Sequence, residues 1–458
     1  MDIKTLVRQQ KDFFASQQTK DQEYRKASLR RLRAEIVKRE KEIINAIHKD
    51  FRKSEFESVL SETTAVLHEL DRALRNLKSW ARPQAVTPVL LTFPSTSKIY
   101  KEPYGMVLII SPWNYPFQLV FSPVIGAVAA GNTVVIKPSE LALNTSHVVR
   151  EIISAVFDEK HVCVVEGDGS VAERLLLERW DYIFFTGSVE IGKLVAKAAA
   201  EHLTPLTLEL GGKNPCIIDE TANIKLAARR IVWGKFINGG QTCIAPDYIL
   251  VHKSVKDELI SGIRNEIIRT YGHNPKHSAD FPRIINQRNF ENLEKMIRDE
   301  KFLTGGETDK EELYISPTLV DDPETDSEVM KGEIFGPILP IIGYTDEEEV
   351  AKIISAYEKP LAFYIFSTNR RLRKLIIEKH AFGGGTINDT IVHFANHRLP
   401  FGGVGYSGTG AYHGRHTFET FSHKKGVTHR YNWLDIPVRY APYHGKLKLL
   451  RFFMKWFG

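Results

Sequence analysis

The sequence predicts an α/β chain carrying two parallel-sheet units, and three observations predict it. Short apolar runs such as Gly105-Met-Val-Leu-Ile-Ile110 and Tyr182-Ile-Phe-Phe185 alternate with stretches of helical period, and strands alternating with helices build parallel sheets covered on both faces. The alternation comes in two successive series, the second beginning near Pro215. At 458 residues the chain is also long enough for two or three domains with large cores.

From Asp2 to about Trp80, apolar residues recur every three or four positions, and the helical pattern stops at Ala81-Arg-Pro83. The basic stretch Tyr24 to Lys41 is interspersed with acids and reads as a solvated helix face. Residues 84–103 change character. Val86, Val89, Leu90, Leu91 and Phe93, then Lys98-Ile-Tyr100, flank the turn formers Pro94-Ser-Thr-Ser97 and predict a β-hairpin. The first series follows: Gly105 to Ile110, Thr133 to Ile136, Val162 to Val165, Tyr182 to Phe185 and Leu206 to Leu208, with helices such as Leu119 to Ala130 and Gly192 to Leu203 between them. Strands of the second are expected at Pro215 to Asp219, Tyr248 to His252, Thr318 to Asp321, Ile338 to Ile342, Ala362 to Phe366 and Gly385 to Asn388. Last comes Gly445 to Gly458, which as a helix places Lys448, Arg451 and Lys455 on one stripe and Leu447, Leu450, Phe453, Met454 and Phe457 around the rest.

Composition narrows the function. A hydrophobic content of 43%, a charged content of 26% and a net charge of +6 describe an ordinary globular protein without the concentrated basic stripe of a nucleic-acid binder. No apolar stretch reaches the roughly 20 residues of a spanning helix, and the N-terminus has no apolar signal core. The expected location is cytoplasmic. Three cysteines without paired spacing argue against a disulfide framework or a metal site and fit a reducing compartment.

Cys163 and Cys216 lie in apolar runs, as buried structural thiols do. Cys243 does not: Asn238-Gly-Gly-Gln-Thr-Cys-Ile-Ala-Pro246 places it on a flexible bend with a proline just beyond. Glu209, in Thr207-Leu-Glu-Leu-Gly-Gly-Lys-Asn-Pro215, ends an apolar strand at a Gly-Gly turn. A thiol with a carboxylate base suggests a covalent intermediate later released by water. Asn114, in Ser111-Pro-Trp-Asn-Tyr-Pro-Phe117, follows a strand and could donate to an oxyanion. Two segments offer an anion site. Gly167-Asp-Gly-Ser-Val-Ala172 fits the dinucleotide fingerprint only loosely, with no acidic ribose partner at the usual distance. Phe185-Thr-Gly-Ser-Val-Glu-Ile-Gly192 is the better candidate, with Ser188 as a cap and free N–H groups at a helix start.

Together these blocks resemble the active-site signatures of the aldehyde dehydrogenase superfamily, in the same order along nearly the whole chain. Gly240 to Tyr248, Gly410-Ala-Tyr-His-Gly414, Phe421-Ser-His423 and Arg439 to Tyr443 resemble its class 3 branch, which includes fatty aldehyde dehydrogenases. The resemblance implies an atypical Rossmann NAD domain over residues 1–83 and 104–209, a catalytic domain over 210–419, a small β oligomerisation element from 84–103 and 420–443, and an amphipathic tail over 444–458. It implies Cys243, Glu209 and Asn114 as catalytic residues, with Trp113, Lys137, Glu140, Thr186, Gly187, Ser188, Gly192, Glu333 and Phe335 at the cofactor and Tyr115, Thr242, Ile391 and Phe401 at an aldehyde substrate. Glu140 would favour NAD, with Lys137 leaving NADP possible. A homodimer is implied, and peripheral membrane contact through the tail is a further expectation. Two other readings are a CoA-acylating enzyme, which would not require Glu209, and a non-catalytic binding protein, which would have lost one of Cys243, Asn114 and Glu209. Tyr406, Thr409 and Ala441 depart from the branch's pattern and bear on substrate preference.

Overall fold

The computed structural model describes residues 2–457, the side chains of Leu90, Phe453, Trp456 and Phe457 excepted. Its first sheet has six strands, in spatial order Gly408–Thr409, Leu206–Glu209, Tyr182–Thr186, Met106–Ile110, Thr133–Lys137 and Val162–Val164. Its second has seven: Phe302–Thr304, Thr318–Asp321, Ile338–Tyr344, Tyr248–His252, Pro215–Ile218, Ala362–Phe366 and Gly384–Ile387. Both are parallel apart from one antiparallel edge strand each, Gly408–Thr409 against Leu206–Glu209 and Phe302–Thr304 against Thr318–Asp321. These short edges carry no alternating pattern, and the sequence did not reveal them. The central strands are apolar and buried along their length, as expected of parallel strands covered on both faces.

Helices start and stop where side-chain chemistry dictates. Ser188 accepts from the N–H of Ile191 and opens Val189–Glu201, as expected of it as a cap, and the helix begins three residues before the run Gly192 to Leu203. The helix expected at Leu119 begins at Gln118 and ends at Ala130, where Gly131 takes a left-handed conformation with φ 100°. Gly131 has a second role. A Cβ there would lie 2.6 Å from the Arg25 guanidinium, and Arg25 is buried, donating to the carbonyls of Thr19, Lys20 and Ala129. The basic N-terminal region is therefore not uniformly a solvated face: Arg25 is an internal brace.

Residues 84–103 form antiparallel strands, but the turn is earlier than the sequence suggested. Gln84–Val86 pairs with Ser95–Pro103, and Leu90–Thr92 form a short 3-10 turn between them. Ser95, Thr96 and Ser97 are drawn into the ladder because Ser422–Arg430 pairs along the other side, from Ser422 opposite Pro103 to Arg430 opposite Ser95. The result is a separate three-stranded sheet. Leu447–Phe457 is a helix, and among its described side chains Leu447, Leu449, Leu450, Phe452 and Met454 are exposed in this chain. The expected apolar positions Phe453 and Phe457 lie outside the described side chains. Among the described residues no helix is long and apolar enough to cross a membrane.

Candidate active site

The strand Leu206–Glu209 ends beside Gly408–Thr409, and the main chain of Leu210 donates to Ser407. Glu209 is thus delivered, 2% exposed, into an apolar cavity of about 400 Å³ that also receives Cys243. Neither carboxylate oxygen meets a donor among the described residues, and burial holds the group well above the usual carboxylate range.

Cys243 follows a bend that only a few residue types could form. Asn238 and Gly239 are left-handed, with φ 54° and 61°, and a Cβ on Gly240 would meet the carbonyl of Gly336 at 2.2 Å. Side chains hold the bend from inside. Gln241 donates to the carbonyls of Asn238 and Arg283 and accepts from the N–H of Ile285. Asn214 donates to the carbonyls of Cys243 and Ala245 and accepts from the N–H of Ala362. Burial in the apolar cavity pushes the thiol up, Glu333 and Glu209 add to this, and the N–H groups of Cys243 and Ile244 oppose it. Cys163 and Cys216 are free and buried in strands, and burial raises both thiols.

Asn114 lies under the same loop, its Nδ2 3.1 Å from the carbonyl of Gln241 and its own carbonyl accepting from Asn238 Nδ2 at 2.8 Å. Tyr115 continues the contact through its hydroxyl, 2.7 Å from Thr242 Oγ1. Tyr115, Thr242, Ile391 and Phe401 all line the cavity with Cys243 and Glu209. Around them stand Leu119, Trp233 and Phe394, while His68, Arg72 and His397 contribute polar groups.

A second set of residues, of which Thr186 also lines the cavity, could hold a dinucleotide. Lys137 Nζ is buried and lies 3.0 Å from Glu140 Oε2, so the pair presents a carboxylate whose charge is partly offset. Ser188 caps a helix directly after Thr186 and Gly187, and Thr186 Oγ1 is buried without a partner among the described residues. Gly192 sits in that helix against Leu210, where a Cβ would come within 2.8 Å. Trp113 and Phe335 meet edge to face at 5.3 Å. Glu333 approaches the Gly-Gly turn so closely that a Cβ on Gly211 would lie 2.1 Å from its Oε2. Its carboxyl is pushed up to about 8 by burial and by Asp247, against the pull of the Gly212 N–H, Lys213 and Lys235. Unsatisfied hydroxyl and carboxyl groups, a helix start and a cradle without a Cβ fit the ribose hydroxyls and phosphates of a nicotinamide dinucleotide. Gly167 lies before a short helix, Gly169–Leu176, whose Asp168 cap accepts from the N–H of Ser170.

Several supporting residues were not identified in the sequence. Asn214 lay inside the quoted glutamate block, yet one asparagine before a strand carries no signal of its own. Lys213 and Asp247 form a buried pair at 2.6 Å, and Asp247 also accepts from the N–H of Ile334, joining the cysteine loop to the Glu333 segment. Lys53, Glu57 and Glu62 come from the N-terminal helices, far in sequence from any block.

The α/β architecture and a partly buried thiol sharing one cavity with a buried carboxyl describe an oxidoreductase of the thiol-dependent, nicotinamide-linked type. The aldehyde dehydrogenase family pattern matches residues 1–427. Over 447 residues the chain is 46% identical to the 4,4'-diaponeurosporen-aldehyde dehydrogenase of Staphylococcus aureus, covering 97% of each chain. It is 45% identical to aldehyde dehydrogenase family 3 member A2 of Macaca fascicularis over 419 residues, 92% of this chain and 86% of that one. A solved substrate-bound structure of Staphylococcus aureus AldH superposes with a TM-score of 0.97 at 45% identity, covering 99% of this chain and 100% of the other. The chain belongs to the aldehyde dehydrogenase family, and it oxidises aldehydes with NAD or NADP.

Proposed function

We propose that Cys243 is the nucleophile, Asn114 an oxyanion donor and Glu209 the base for the second half-reaction. Cys243 gives up its proton to solvent and, as the thiolate, adds to the aldehyde carbon, and the carbonyl oxygen becomes an oxyanion received by the Asn114 amide and the Cys243 main-chain N–H. Bound nicotinamide supplies the hydride acceptor. As the C–H hydride departs, the C=O re-forms and leaves a thioester on Cys243. Glu209 takes a proton from water, the oxygen adds to the thioester carbon, and the C–S bond breaks to release the acid and the thiolate. The cavity shared by Cys243 and Glu209 is the observation that carries this reading.

Its apolar walls suit a medium or long aliphatic chain or an aromatic ring in the substrate. NAD is the favoured cofactor, because the Glu140 carboxylate opposes a 2′-phosphate. The three-stranded sheet leaves Gln84–Val86 and Ser422–Arg430 as open edges, which supports its use in homodimer formation. The protein works in the cytoplasm, with the exposed amphipathic helix Leu447–Phe457 resting on a membrane surface.

The test is Glu209→Gln mixed with NAD and a straight-chain aldehyde. NADH should form in a burst, and mass spectrometry should find an acyl group on Cys243. CoA should not accelerate the parent enzyme. Turnover at the parent rate by Glu209→Gln would remove the base, and acyl-CoA formation would replace hydrolysis by thiolysis.

A further inference from the structure

Behind the cavity lies a charge cluster that the proposed chemistry does not use. Lys53 and Glu62 are both fully buried and form an ion pair at 2.8 Å. Glu57, 8% exposed, stands on the turn of helix before Glu62. Between Glu57 and the long helix Thr64–Trp80 the chain widens into a π-turn over Val59–Thr63, an irregularity that recurs at functional sites.

Each carboxylate holds one half of the active site. Glu62 Oε2 accepts from the main-chain N–H of Phe117 and Gln118, at 3.1 and 2.9 Å, fixing the segment that carries Asn114 and Tyr115. Glu57 Oε1 accepts from the N–H of Asn238 at 2.8 Å. Asn238 is the left-handed residue that starts the cysteine bend, and its side chain ties the carbonyls of Asn114 and Gln241 together. Lys53 reaches the cavity wall, its Nζ 4.3 Å from the centre of the Tyr115 ring. That ring's hydroxyl bonds Thr242, the neighbour of Cys243. Replacing such a cluster by apolar side chains would cost little stability in general, so its arrangement calls for another explanation.

We propose that Glu57, Lys53 and Glu62 are positioning residues that set the separation between the Asn114 segment and the Cys243 loop. The inference rests on the assignment of Cys243 and Asn114 given above. Glu62 anchors the first segment, Glu57 the second, and Lys53 joins the cluster to Tyr115. A thiol and an oxyanion donor on separate segments must agree in position, and a displacement of about 1 Å costs about 100-fold in rate.

Glu57→Leu removes the acceptor for Asn238, whereas Glu57→Gln keeps an acceptor without the charge. With NAD and a straight-chain aldehyde, Glu57→Leu should lose about 100-fold in kcat with little change in KM for NAD, and Glu57→Gln should recover most of that loss. Asn238→Gly keeps the main-chain N–H that Glu57 accepts and instead removes the side-chain amide that joins the carbonyls of Asn114 and Gln241, breaking the link between the two segments at the loop side. Glycine accepts the left-handed conformation, so this variant serves if Glu57→Leu does not fold, with the same expected fall in kcat. Parental kcat in a folded Glu57→Leu or Asn238→Gly enzyme, a loss carried equally by KM for NAD, or no recovery in Glu57→Gln would overturn the positioning role. Parental activity in Cys243→Ala would instead overturn the assignment on which it rests.

Discussion

Asn214 donates its side-chain amide to the main-chain carbonyl of Cys243 at 2.8 Å, so the residue just before the strand Pro215–Ile218 fixes the backbone of a cysteine 29 positions later. The same amide reaches the carbonyl of Ala245, and its oxygen takes the N–H of Ala362. Asn214→Ala strands buried main-chain groups and should cost about 1 to 3 kcal/mol of stability. Asn214→Asp should be worse for catalysis, because it turns a carboxylate oxygen toward two carbonyls. Thermal melting and kcat on the two variants check this; equal kcat in Asp and Ala would contradict it.

The Glu333 carboxylate disfavours the thiolate of Cys243. Burial and Glu333 both raise the thiol, so the folded enzyme holds less thiolate than a free cysteine at the same pH. Alkylation of cofactor-free enzyme by iodoacetamide should keep climbing beyond about pH 8.5, where an ordinary thiol begins to level off. Glu333 itself is raised to about 8, neutral below that pH and charged above it. Glu333→Gln should therefore speed alkylation at about pH 9, by up to about tenfold for each unit by which the thiol falls, and do little at about pH 7. An effect of the same size at both pH values would show that charge is not the cause.

Much of this was legible in the sequence where local chemistry decided it. Continuous apolar runs located the central strands because parallel strands bury both faces, and Cys243 stood out because glycines and a proline surround it while Cys163 and Cys216 have β-branched neighbours. What could not be read depends on long-range pairing. Ser95 to Ser97 look like turn residues until Ser422–Arg430 pairs alongside them. Gly408–Thr409 becomes a strand only beside Leu208 and Glu209. Lys53 and Glu62 look like ordinary charges on a helical stretch, and only the fold removes them from water.

Cofactor choice should turn on Glu140. Its pairing with Lys137 at 3.0 Å means that removing the carboxylate also frees a buried ammonium for a 2′-phosphate. In Glu140→Gln, the ratio of kcat/KM for NADP to that for NAD should rise by about tenfold or more, since one lost like-charge contact is worth about 1 kcal/mol even in bulk water and more near protein. An unchanged ratio would place the ribose elsewhere.

The last prediction concerns the helix Leu447–Phe457. Lys448, Arg451 and Lys455 form one stripe, and Leu447, Leu450 and Met454 are exposed to solvent in this chain. A helix of this composition, too short to span, partitions into the interface of an anionic bilayer through buried apolar area plus attraction to lipid charge. Each basic residue near the surface contributes about 1 kcal/mol, and the contribution fades with salt. Full-length protein should sediment with vesicles containing phosphatidylserine at low salt and be released at high salt, whereas protein ending at Tyr443 should stay in the supernatant. A helix at rest on the bilayer also places the enzyme where long-chain aldehydes partition. Truncation should then lower kcat/KM for a long-chain aldehyde presented in vesicles more than for a short, water-soluble one. Absence of vesicle binding by the full chain at low salt, together with equal losses for both chain lengths, would rule out the membrane role and leave the helix as a cover for protein surface.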